Sequence, residues 1–364
     1  MIARSLLGLF LCLVTIPVSG EDGFRPLLNG QDLSGWVLVN TPPQTWSMQD
    51  GMLVCTGKPI GEIRTEKMYQ NFILEVEWRH MVPGGNAGIF VWADDITSKG
   101  VPFHRSIEVQ VLDHGYGQGA GHTTHGDIFP IHGAKMTPLN GRGGNRAFPT
   151  EERSKPSPEW NHYRIECQDG AISLSVNGKV VTQGKDASPR KGYICIESEG
   201  GVVHYRNLKI RELPETPVDP EHVAIANRGY RSIYSGLDLT GWKATEAGQS
   251  HWKSNDWVLS YDGKATAENA ALSSKETLND RGFLFDIRPG KEFRSLKLLS
   301  ETLTAETLKP GAWHRVEGAV KGGKLSLQVN GEPVAQDRSV AEPSLQLHPE
   351  GPADFANVYV RELK

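Results

Sequence analysis

The chain has 364 residues, of which 23% are charged, and its formal net charge at pH 7 is −4. The charges are spread along the chain without blocks of one sign, so nucleic acid is not expected as a partner. A chain of this length suits two domains.

Residues 1–20 have the pattern of a signal peptide. Arg4 precedes an apolar stretch at 6–16 that is too short to span a bilayer, and small residues follow at 18–20. A membrane anchor is the alternative. No later segment is apolar and long enough to span a membrane, so we expect an exported protein in the periplasm or outside the cell.

Two parts of the chain follow the same pattern in the same order. Residues 23–36 recur as 229–242, and the segment from Trp160 to an Asn-Gly turn recurs from Trp313. Ordered matches of this kind indicate tandem domains, the second shorter than the first by about 53 residues in its middle.

A proline-rich stretch at 214–220 separates the two copies. Stiff, proline-rich segments of this kind commonly connect domains. We therefore predict a first domain at 24–213, a linker at 214–228 and a second domain at 229–364.

Most segments of both copies are predicted to be β-strands. Apolar and polar residues alternate at 72–78, 163–167, 172–176 and 325–329, which places one face in a core and the other in water. Asn-Gly and Asp-Gly pairs between such segments suit tight hairpins. No amphipathic helix of any length is evident, so the pattern predicts an all-β protein of sandwich or jelly-roll type.

Three cysteines follow the predicted signal peptide, at positions 55, 167 and 195. One disulfide could form, and its pairing cannot be read from the sequence. We favour the interpretation that all three are small buried residues of strands.

The segment 105–113 is the main candidate for a functional strand. Alternation places Ile107, Val109 and Val111 in the core, so Glu108 and Gln110 face away from it, into solvent or a concave surface. An ordinary solvated strand face is the alternative.

The loop that follows this strand is rich in histidine and glycine. His114, His122, His125 and Asp127 lie within it, and histidine can act as a base or as a metal ligand near neutral pH. A divalent metal bound by His122, His125 and Asp127 is one hypothesis, although their spacing matches no strong zinc signature.

Other candidates lie close to this strand in sequence, and the comparison of the two copies supports them. The second copy keeps the tryptophans and turns of the first but has no counterpart of Arg64 or of the strand with Glu108. Features confined to the first copy are therefore candidates for chemistry or binding. Besides those named above, the candidate substrate-binding residues are Asn86, Arg79, His80, His104 and Arg142. Trp160 is a further candidate, although the second copy keeps it as Trp313.

At these residues the chain resembles the 3-keto-disaccharide hydrolase domain family. The family's opening pattern is matched at 27–36 and its Glu-Val-Gln-Ile-Leu-Asp element at 108–113. Ala87 stands where the family has serine, so any role of that hydroxyl is absent here. Further family elements appear at 86–89, 158–161, 176–178 and 206–208.

The resemblance implies a concanavalin A-like β-sandwich followed by a second, degenerate copy. It also implies cleavage of glycosides whose sugar a separate oxidoreductase has oxidised at C3. A C3 ketone acidifies the C2 proton, so a base could remove it, an oxyanion stabiliser could hold the enolate, and the group at C1 could leave. Water could then add.

Within that reaction, Glu108 is the leading candidate for an essential polar residue. His114, Asp113, His122 and His125 compete with it for the role of base. Arg64 is the favoured stabiliser of the enolate, since a guanidinium stays charged and offers two donors.

Two further hypotheses remain at this stage. The protein could be a carbohydrate-binding protein of the cell surface or periplasm without catalytic activity, because many proteins of this fold only bind sugars. A retaining glucanase would need two carboxyl groups, and Glu108 with Asp113 would face opposite sides of a regular strand.

Overall fold

The computed structural model describes residues 22–341 and 344–363, and the predicted signal peptide at 1–20 lies outside them. Within the described ranges, no helix combines the length and the apolar character that crossing a membrane requires.

The first half of the chain forms the strands of two antiparallel sheets. These strands are β1 (Arg25–Pro26), β2 (Trp36–Val39), β3 (Trp46–Gln49), β4 (Met52–Cys55), β5 (Gly61–Thr65), β6 (Phe72–His80), β7 (Asn86–Ala93), β8 (Ser106–Leu112), β9 (Ile128–Ile131), β10 (Lys135–Pro138), β11 (Asn161–Gln168), β12 (Ala171–Val176), β13 (Lys179–Ser188), β14 (Tyr193–Ser198) and β15 (Val203–Glu212). One sheet has nine strands in the order β10-β13-β12-β11-β6-β15-β4-β3, with β1 beside β15. The other has six, in the order β2-β5-β14-β7-β8-β9.

The two sheets pack face to face because their strands alternate as the sequence predicts. Ile107 and Val109 of β8 meet Leu74 and Val76 of β6 in one hydrophobic core. The predicted Asn-Gly hairpin is also present, with φ of 48° at Asn177 and a positive φ at the following glycine.

The second half of the chain repeats this arrangement with two more antiparallel sheets. Its strands are β16 (Arg231–Ser232), β17 (Trp242–Lys243), β18 (Trp252–Asn255), β19 (Val258–Tyr261), β20 (Leu272–Thr277), β21 (Arg281–Pro289), β22 (Ser295–Leu298), β23 (Glu301–Thr304), β24 (His314–Lys321), β25 (Lys324–Val329), β26 (Glu332–Ser339), β27 (Ser344–Glu350) and β28 (Ala353–Glu362). The strand orders are β18-β19-β28-β21-β24-β25-β26, with β16 beside β28, and β17-β20-β27-β22-β23. These sheets enclose a separate hydrophobic core.

Helical structure is minor among the described residues. It consists of α1 (Glu246–Gln249) and short 3₁₀ turns at Pro43–Thr45, His114–Tyr116, Pro220–His222 and Ala267–Asn269. The predicted fold class is therefore confirmed: the protein is all-β, and its antiparallel sheets form two β-sandwiches in tandem. The predicted domain bounds of 24–213 and 229–364 stay a prediction. Cys55, Cys167 and Cys195 are buried and free, as favoured above.

The two sandwiches meet through a small apolar cluster and a buried polar network. Ile96 of the loop between β7 and β8 packs with Leu284 and Tyr359 of the second sandwich. Thr97 Oγ1 hydrogen-bonds the Tyr359 hydroxyl at 2.9 Å, and Gly100 N donates to Asp286 Oδ2 at 2.9 Å. The second sandwich therefore supports the loop that leads into β8.

The predicted linker at 214–228 lies against the first sandwich. Ile225 N donates to Asp94 Oδ1 at 2.8 Å, and Arg228 N donates to Asp95 Oδ2 at 3.0 Å. Because its backbone is hydrogen-bonded in this way, the segment is part of the folded surface.

Candidate active site

One face of the six-stranded sheet carries buried carboxyl side chains. Glu108 and Gln110 alternate along β8 with core residues, so they face away from the core. Glu197 of β14 shares this face, since Ile194 and Ile196 on either side of Cys195 belong to the core. The face is not an ordinary solvated one, because Glu108 is 7% exposed and Glu197 only 1%.

Glu108 and Glu197 approach each other above Gly88, which lies on β7 between their strands. A Cβ atom at Gly88 would lie 2.9 Å from Glu197 Oε2 and 3.0 Å from Glu108 Oε1. The two oxygens are thus at most about 6 Å apart, an upper limit that is compatible with the roughly 5–5.5 Å between the carboxyl groups of retaining glycosidases. The sequence did not indicate Glu197, and the carboxyl group weighed there beside Glu108 was Asp113, on the opposite side of a regular strand.

Two of the predicted substrate-binding residues extend this group. Asn86 Nδ2 donates to Glu199 Oε2 at 2.5 Å, while Asn86 Oδ1 accepts from Gln110 Nε2 at 2.9 Å. Glu199 follows β14 and pairs with Asn86 as an isolated bridge. The structure therefore brings together Asn86, Glu108 and Gln110, which were named from the sequence, and adds Glu197 and Glu199.

Burial raises the pKa of all three carboxyl groups, and like charge adds to this effect for Glu108 and Glu197. Burial raises the pKa of Glu108 to about 8, with the charge of Glu199 adding to the effect and Arg146 opposing it. Burial, then the charge of Glu108, raises the pKa of Glu197 well above its ordinary value. Burial raises the pKa of Glu199 against the hydrogen bonds from Glu197 and Asn86. Carboxyl groups that hold protons near neutral pH can act as proton donors and acceptors.

Arg146 is the cation whose charge acts on Glu108. Its guanidinium lies 3.4 Å from the ring centroid of Phe129, and Phe129 is the residue of β9 paired with Glu108. Arg146 Nη1 also donates to Asp127 Oδ2 at 3.0 Å. The glycine-rich loop at 140–146 thus brings a positive charge to the edge of the site.

Arg64 lies on the same sheet face, but its guanidinium has other partners. Arg64 Nε donates to Asp95 O at 2.9 Å and Nη1 to Thr65 O at 3.0 Å. The side chain also stacks on Tyr193, at 4.4 Å from the ring centroid. Since β14 and β7 separate β5 from β8, the Arg64 backbone is about 14 Å from that of Glu108. The structure therefore does not support Arg64 as the enolate stabiliser.

Asp113 organises the loop that begins at the end of β8. Its carboxylate accepts backbone hydrogen bonds from Gly84 at 2.9 Å, Gly115 at 2.7 Å and Ser157 at 2.7 Å. Burial acts to raise its pKa, but these hydrogen bonds outweigh burial and lower it. A carboxylate held in this way is a poor base, which corrects the proposed competition between Asp113 and Glu108.

His114 and His125 form a pair within the same loop. His114 Nε2 lies 2.8 Å from Ser154 Oγ, and His125 Nδ1 lies 2.9 Å from the same oxygen. His125 Nε2 also contacts Glu152 Oε1 at 3.2 Å. Burial lowers the pKa of His125, which favours its neutral ring. Neither histidine is hydrogen-bonded to the carboxyl pair in the part of the chain that the structure describes.

The predicted metal ligands His122, His125 and Asp127 do not converge. His122 packs edge-on against Tyr116, with ring centroids 5.8 Å apart. The Asp127 carboxylate is fully buried and bound to Arg146. The three side chains thus have separate partners, and the structure gives no support for a metal site in this loop.

Three other predicted substrate-binding residues, His80, Arg79 and Trp160, lie away from this face. His80 is in the core, 1% exposed, because it alternates with Arg79 along β6 of the other sheet. Arg79 points to the outer side of that sheet and stacks on Trp160, at 4.5 Å from the ring centroid. Arg142 is exposed in its glycine-rich loop. Proximity in sequence to the functional strand was misleading for these residues.

His104, predicted to bind substrate, lies instead in a fully buried cluster with Glu62 and Cys195. Potential ligand atoms of the three side chains all lie within 4.8 Å of one another. Across residues 22–341 and 344–363, it is the one group of three or more His, Cys, Asp or Glu with such spacing. Sequence reasoning missed this cluster, although Glu62 and Cys195 have core neighbours at Ile63 and Ile196 whose alternation could have placed them.

Comparison with known proteins finds a family that matches the first sandwich. Residues 23–211, just over half of the chain, match the family described as the 3-keto-alpha-glucoside-1,2-lyase-like domain. The chain belongs to this family. The 3-keto-disaccharide hydrolase of Bacteroides thetaiotaomicron is 24% identical over 250 residues, which cover 54% of this chain and 81% of that protein. The family resemblance found in the sequence is confirmed, and the matched range contains Glu108 and Glu197.

Solved structures similar to this chain also cover about half of it. A Parabacteroides distasonis protein provisionally named a glycosyl hydrolase is 22% identical, covers 54% of this chain and 99% of that structure, and gives a TM-score of 0.42. The beta-glucanase of Bacillus licheniformis is 16% identical, with coverage of 52% and 97% and a TM-score of 0.37. The carbohydrate-binding module CBM66 of Bacillus subtilis is 11% identical, with coverage of 49% and 96% and a TM-score of 0.36.

Proposed function

We propose that the protein cleaves glycosides whose sugar carries a ketone at C3, starting with removal of the C2 proton. The observation that carries this proposal is the buried pair of Glu108 and Glu197 above Gly88, within the range matched by the lyase-like family. Bacteroides thetaiotaomicron has a relative named for activity on 3-keto-disaccharides, which supports the choice of substrate class.

The reaction divides into an elimination and an addition. A base takes the C2 proton, and the electrons of the C–H bond pass into the C3 carbonyl to give an enolate. The ketone then reforms, a double bond forms between C1 and C2, and the bond from C1 to the aglycone oxygen breaks. That oxygen takes a proton from an acid. Water can add at C1, while a proton returns to C2, to complete hydrolysis.

The carboxyl pair can supply both proton transfers. Glu108, with a pKa raised to about 8, has a proton affinity close to that suited to proton transfer near neutral pH. Glu197, whose pKa burial also raises well above its ordinary value, suits the role of acid toward the leaving group. Arg146 replaces Arg64 as the group we propose to stabilise the enolate, because its charge already acts on Glu108.

A second candidate function follows from the same pair. Two carboxyl groups at this spacing can hydrolyse an ordinary glycoside directly, one as acid and the other as nucleophile. This reaction needs no C3 ketone and leaves the C2 proton in place. A protein that only binds carbohydrate is the third alternative, and it would release no aglycone.

One experiment separates these functions. Purified protein is mixed in deuterated buffer with an aryl 3-keto-glucoside and, in parallel, with the unoxidised aryl glucoside. We expect aglycone release from the 3-keto-glucoside alone, with deuterium at C2 of the hydrated sugar product detected by NMR. A sample without enzyme corrects for spontaneous exchange of the acidic C2 proton.

The other outcomes are equally clear. Release with hydrogen retained at C2, or release from the unoxidised glucoside, would favour direct hydrolysis by the carboxyl pair. Glycan binding without release from either substrate would favour the binding protein.

The proposed substrate implies a wider context. A separate oxidoreductase acting on C3 of glycosides must supply it, so we propose such an enzyme as a pathway partner. We also propose export to the periplasm or beyond, on the basis of residues 1–20, and a separate second domain at 229–364 without this site.

A further inference from the structure

The cluster of Glu62, His104 and Cys195 lies on the same sheet face as the carboxyl pair. Glu62 on β5 and Cys195 on β14 project from neighbouring strands, and His104 reaches them from the loop that precedes β8. All three residues are fully buried. His104 Nδ1 lies 3.8 Å from Cys195 Sγ and contacts Glu62 Oε1 directly.

The polar atoms of this cluster are not satisfied by protein hydrogen bonds. No protein group forms a hydrogen bond of good geometry with either carboxylate oxygen of Glu62, although Oε1 touches His104 Nδ1, and Nε2 of His104 has no partner. Contact with a protonated His104 ring would partly compensate the Glu62 charge, but the other lone pairs would stay unpaired. Such burial costs several kcal/mol unless a compensating charge and good geometry are present.

The residues around this cluster add negative charge, and the nearby arginines are bound to other groups. Glu62 is the strand partner of Glu197, whose carboxyl group meets Glu108 above Gly88. Of the nearest arginines, Arg64 bonds to backbone carbonyls and Arg146 bonds to Asp127. A cation bound at this cluster would therefore offset the negative charge of the whole face.

The ligand types indicate which cation fits. A thiolate, an imidazole and a carboxylate are the donor set of zinc and related transition metals, whereas calcium and magnesium prefer oxygen alone. Ligand bonds of ordinary length place sulfur and nitrogen about 3.5 Å apart on a tetrahedral zinc ion. The observed 3.8 Å between Cys195 Sγ and His104 Nδ1 is close to that value.

We propose that Glu62, His104 and Cys195 bind one divalent transition-metal ion of the zinc class beside the candidate active site, on the same sheet face. The Glu62 carboxylate, which touches the His104 ring, rotates to admit the ion between them. Three protein ligands leave one coordination position for water or a fourth group. The proposal does not depend on the proposed reaction, because binding can be measured without substrate.

The test uses the full chain without a histidine tag. Protein is stripped of metal by unfolding with a chelator and refolded with Zn²⁺ or Co²⁺, because the buried ligands leave no open path for entry. We expect about one ion per chain by mass spectrometry. The Co²⁺ form should show the near-ultraviolet charge-transfer band of a cobalt–thiolate bond.

Matched variants assign the ion to this cluster. Cys195→Ser should lose the thiolate band, and His104→Gln should lose most of the bound metal. Cys167→Ser is the control, since Cys167 is equally buried but lies in the core of the nine-stranded sheet. It should keep both the band and the stoichiometry.

Two results would overturn the proposal. One is refolded wild-type protein that binds neither ion, which would leave Glu62 and His104 as a metal-free ion pair. The other is a Co²⁺ band that persists in Cys195→Ser. If Cys195→Ser fails to refold, the wild-type protein still shows whether either ion binds. His104→Gln then shows whether the Co²⁺ band belongs to this cluster.

Discussion

Asn40 and Asn357 hydrogen-bond to each other at 2.8 Å across the contact between the two sandwiches, and both are almost fully buried. Asn357 Nδ2 also donates to Asp286 Oδ2 at 2.7 Å. Both asparagines have positive φ, which glycine accepts without strain. Each side chain is thus required for its polar groups rather than for its backbone.

Removal of this side chain should destabilise the protein. In Asn357→Gly, the buried groups of Asn40 and Asp286 lose a partner, so we expect a loss of about 1–3 kcal/mol in the free energy of unfolding. Asn207→Gly is the control, because Asn207 is exposed with φ of 51°. Denaturant unfolding gives both values, and equal stability of the two variants would contradict the role of the network.

Gly88→Ala should disable the site without unfolding the sandwich. The added methyl group would collide with the carboxyl groups of Glu108 and Glu197 and push them apart. We expect kcat/KM on a 3-keto-glucoside to fall by about 100-fold or more, because small displacements of reacting groups cost this much. Gly121→Ala is the control, since an added Cβ there meets nothing within 4 Å. Unchanged kcat/KM in Gly88→Ala would show that the approach of the two carboxyl groups is irrelevant.

Glu108→Gln tests the proton-transfer role directly. The amide nearly preserves the shape of the side chain but cannot accept the C2 proton, so the rate should fall by about 10²–10⁴. Glu166→Gln, on the exposed side of β11, should react at the wild-type rate. A folded Glu108→Gln protein with full activity would exclude any charged catalytic role for Glu108.

Substitution of the two arginines should have different consequences. Arg146→Met should lower kcat, since it removes the charge we propose to act on the enolate. It should also lower stability, because the buried Asp127 carboxylate loses its cation. Arg64→Met should chiefly lower stability, because Arg64 is buried and its donors satisfy the carbonyls of Asp95 and Thr65. The value of kcat and the unfolding midpoint are measured for both variants. A loss of activity in Arg64→Met alone would reverse these assignments.

Asp113 should make the stability of the protein depend on pH in the acidic range. Its pKa is lowered in the folded state, so its contribution is present above the unfolded value of about 3.9 and is lost as pH falls through the folded value. Asp113→Asn should cost about 1–3 kcal/mol at pH 7 and progressively less below pH 4. Asp186→Asn, at an exposed position, is the control. A difference between Asp113→Asn and wild type that stays constant from pH 7 to pH 3 would contradict this role.

The sequence predicted the strands well because their alternation is local. Glu108 and Gln110 were placed correctly, since their own neighbours define the face on which they lie. Glu197 was not found, because its position beside Gly88 depends on β14 pairing between β5 and β7, and sheet order is not a local property. Tertiary pairing alone brings Glu197 to Glu108.

The errors have the same origin. Arg79 and His80 precede Asn86 closely in sequence, yet β6 belongs to the nine-stranded sheet and β7 to the six-stranded one. The chain therefore changes sheets within a few residues, and their side chains are carried away from the site. Arg64 does share the correct face, but the segment around Tyr193 and Asp95 supplies its partners.

The segment after the prolines limits how the protein can be divided. Ala226 packs on the cluster that contains Phe90, Tyr193 and Cys195, on the same sheet face as the carboxyl pair. A protein shortened at residue 213 would expose that cluster to water, so the smallest autonomous unit of the first sandwich should extend to residue 228. The first sandwich should fold within another polypeptide, or beside a different second domain, only if residues 214–228 are kept with it.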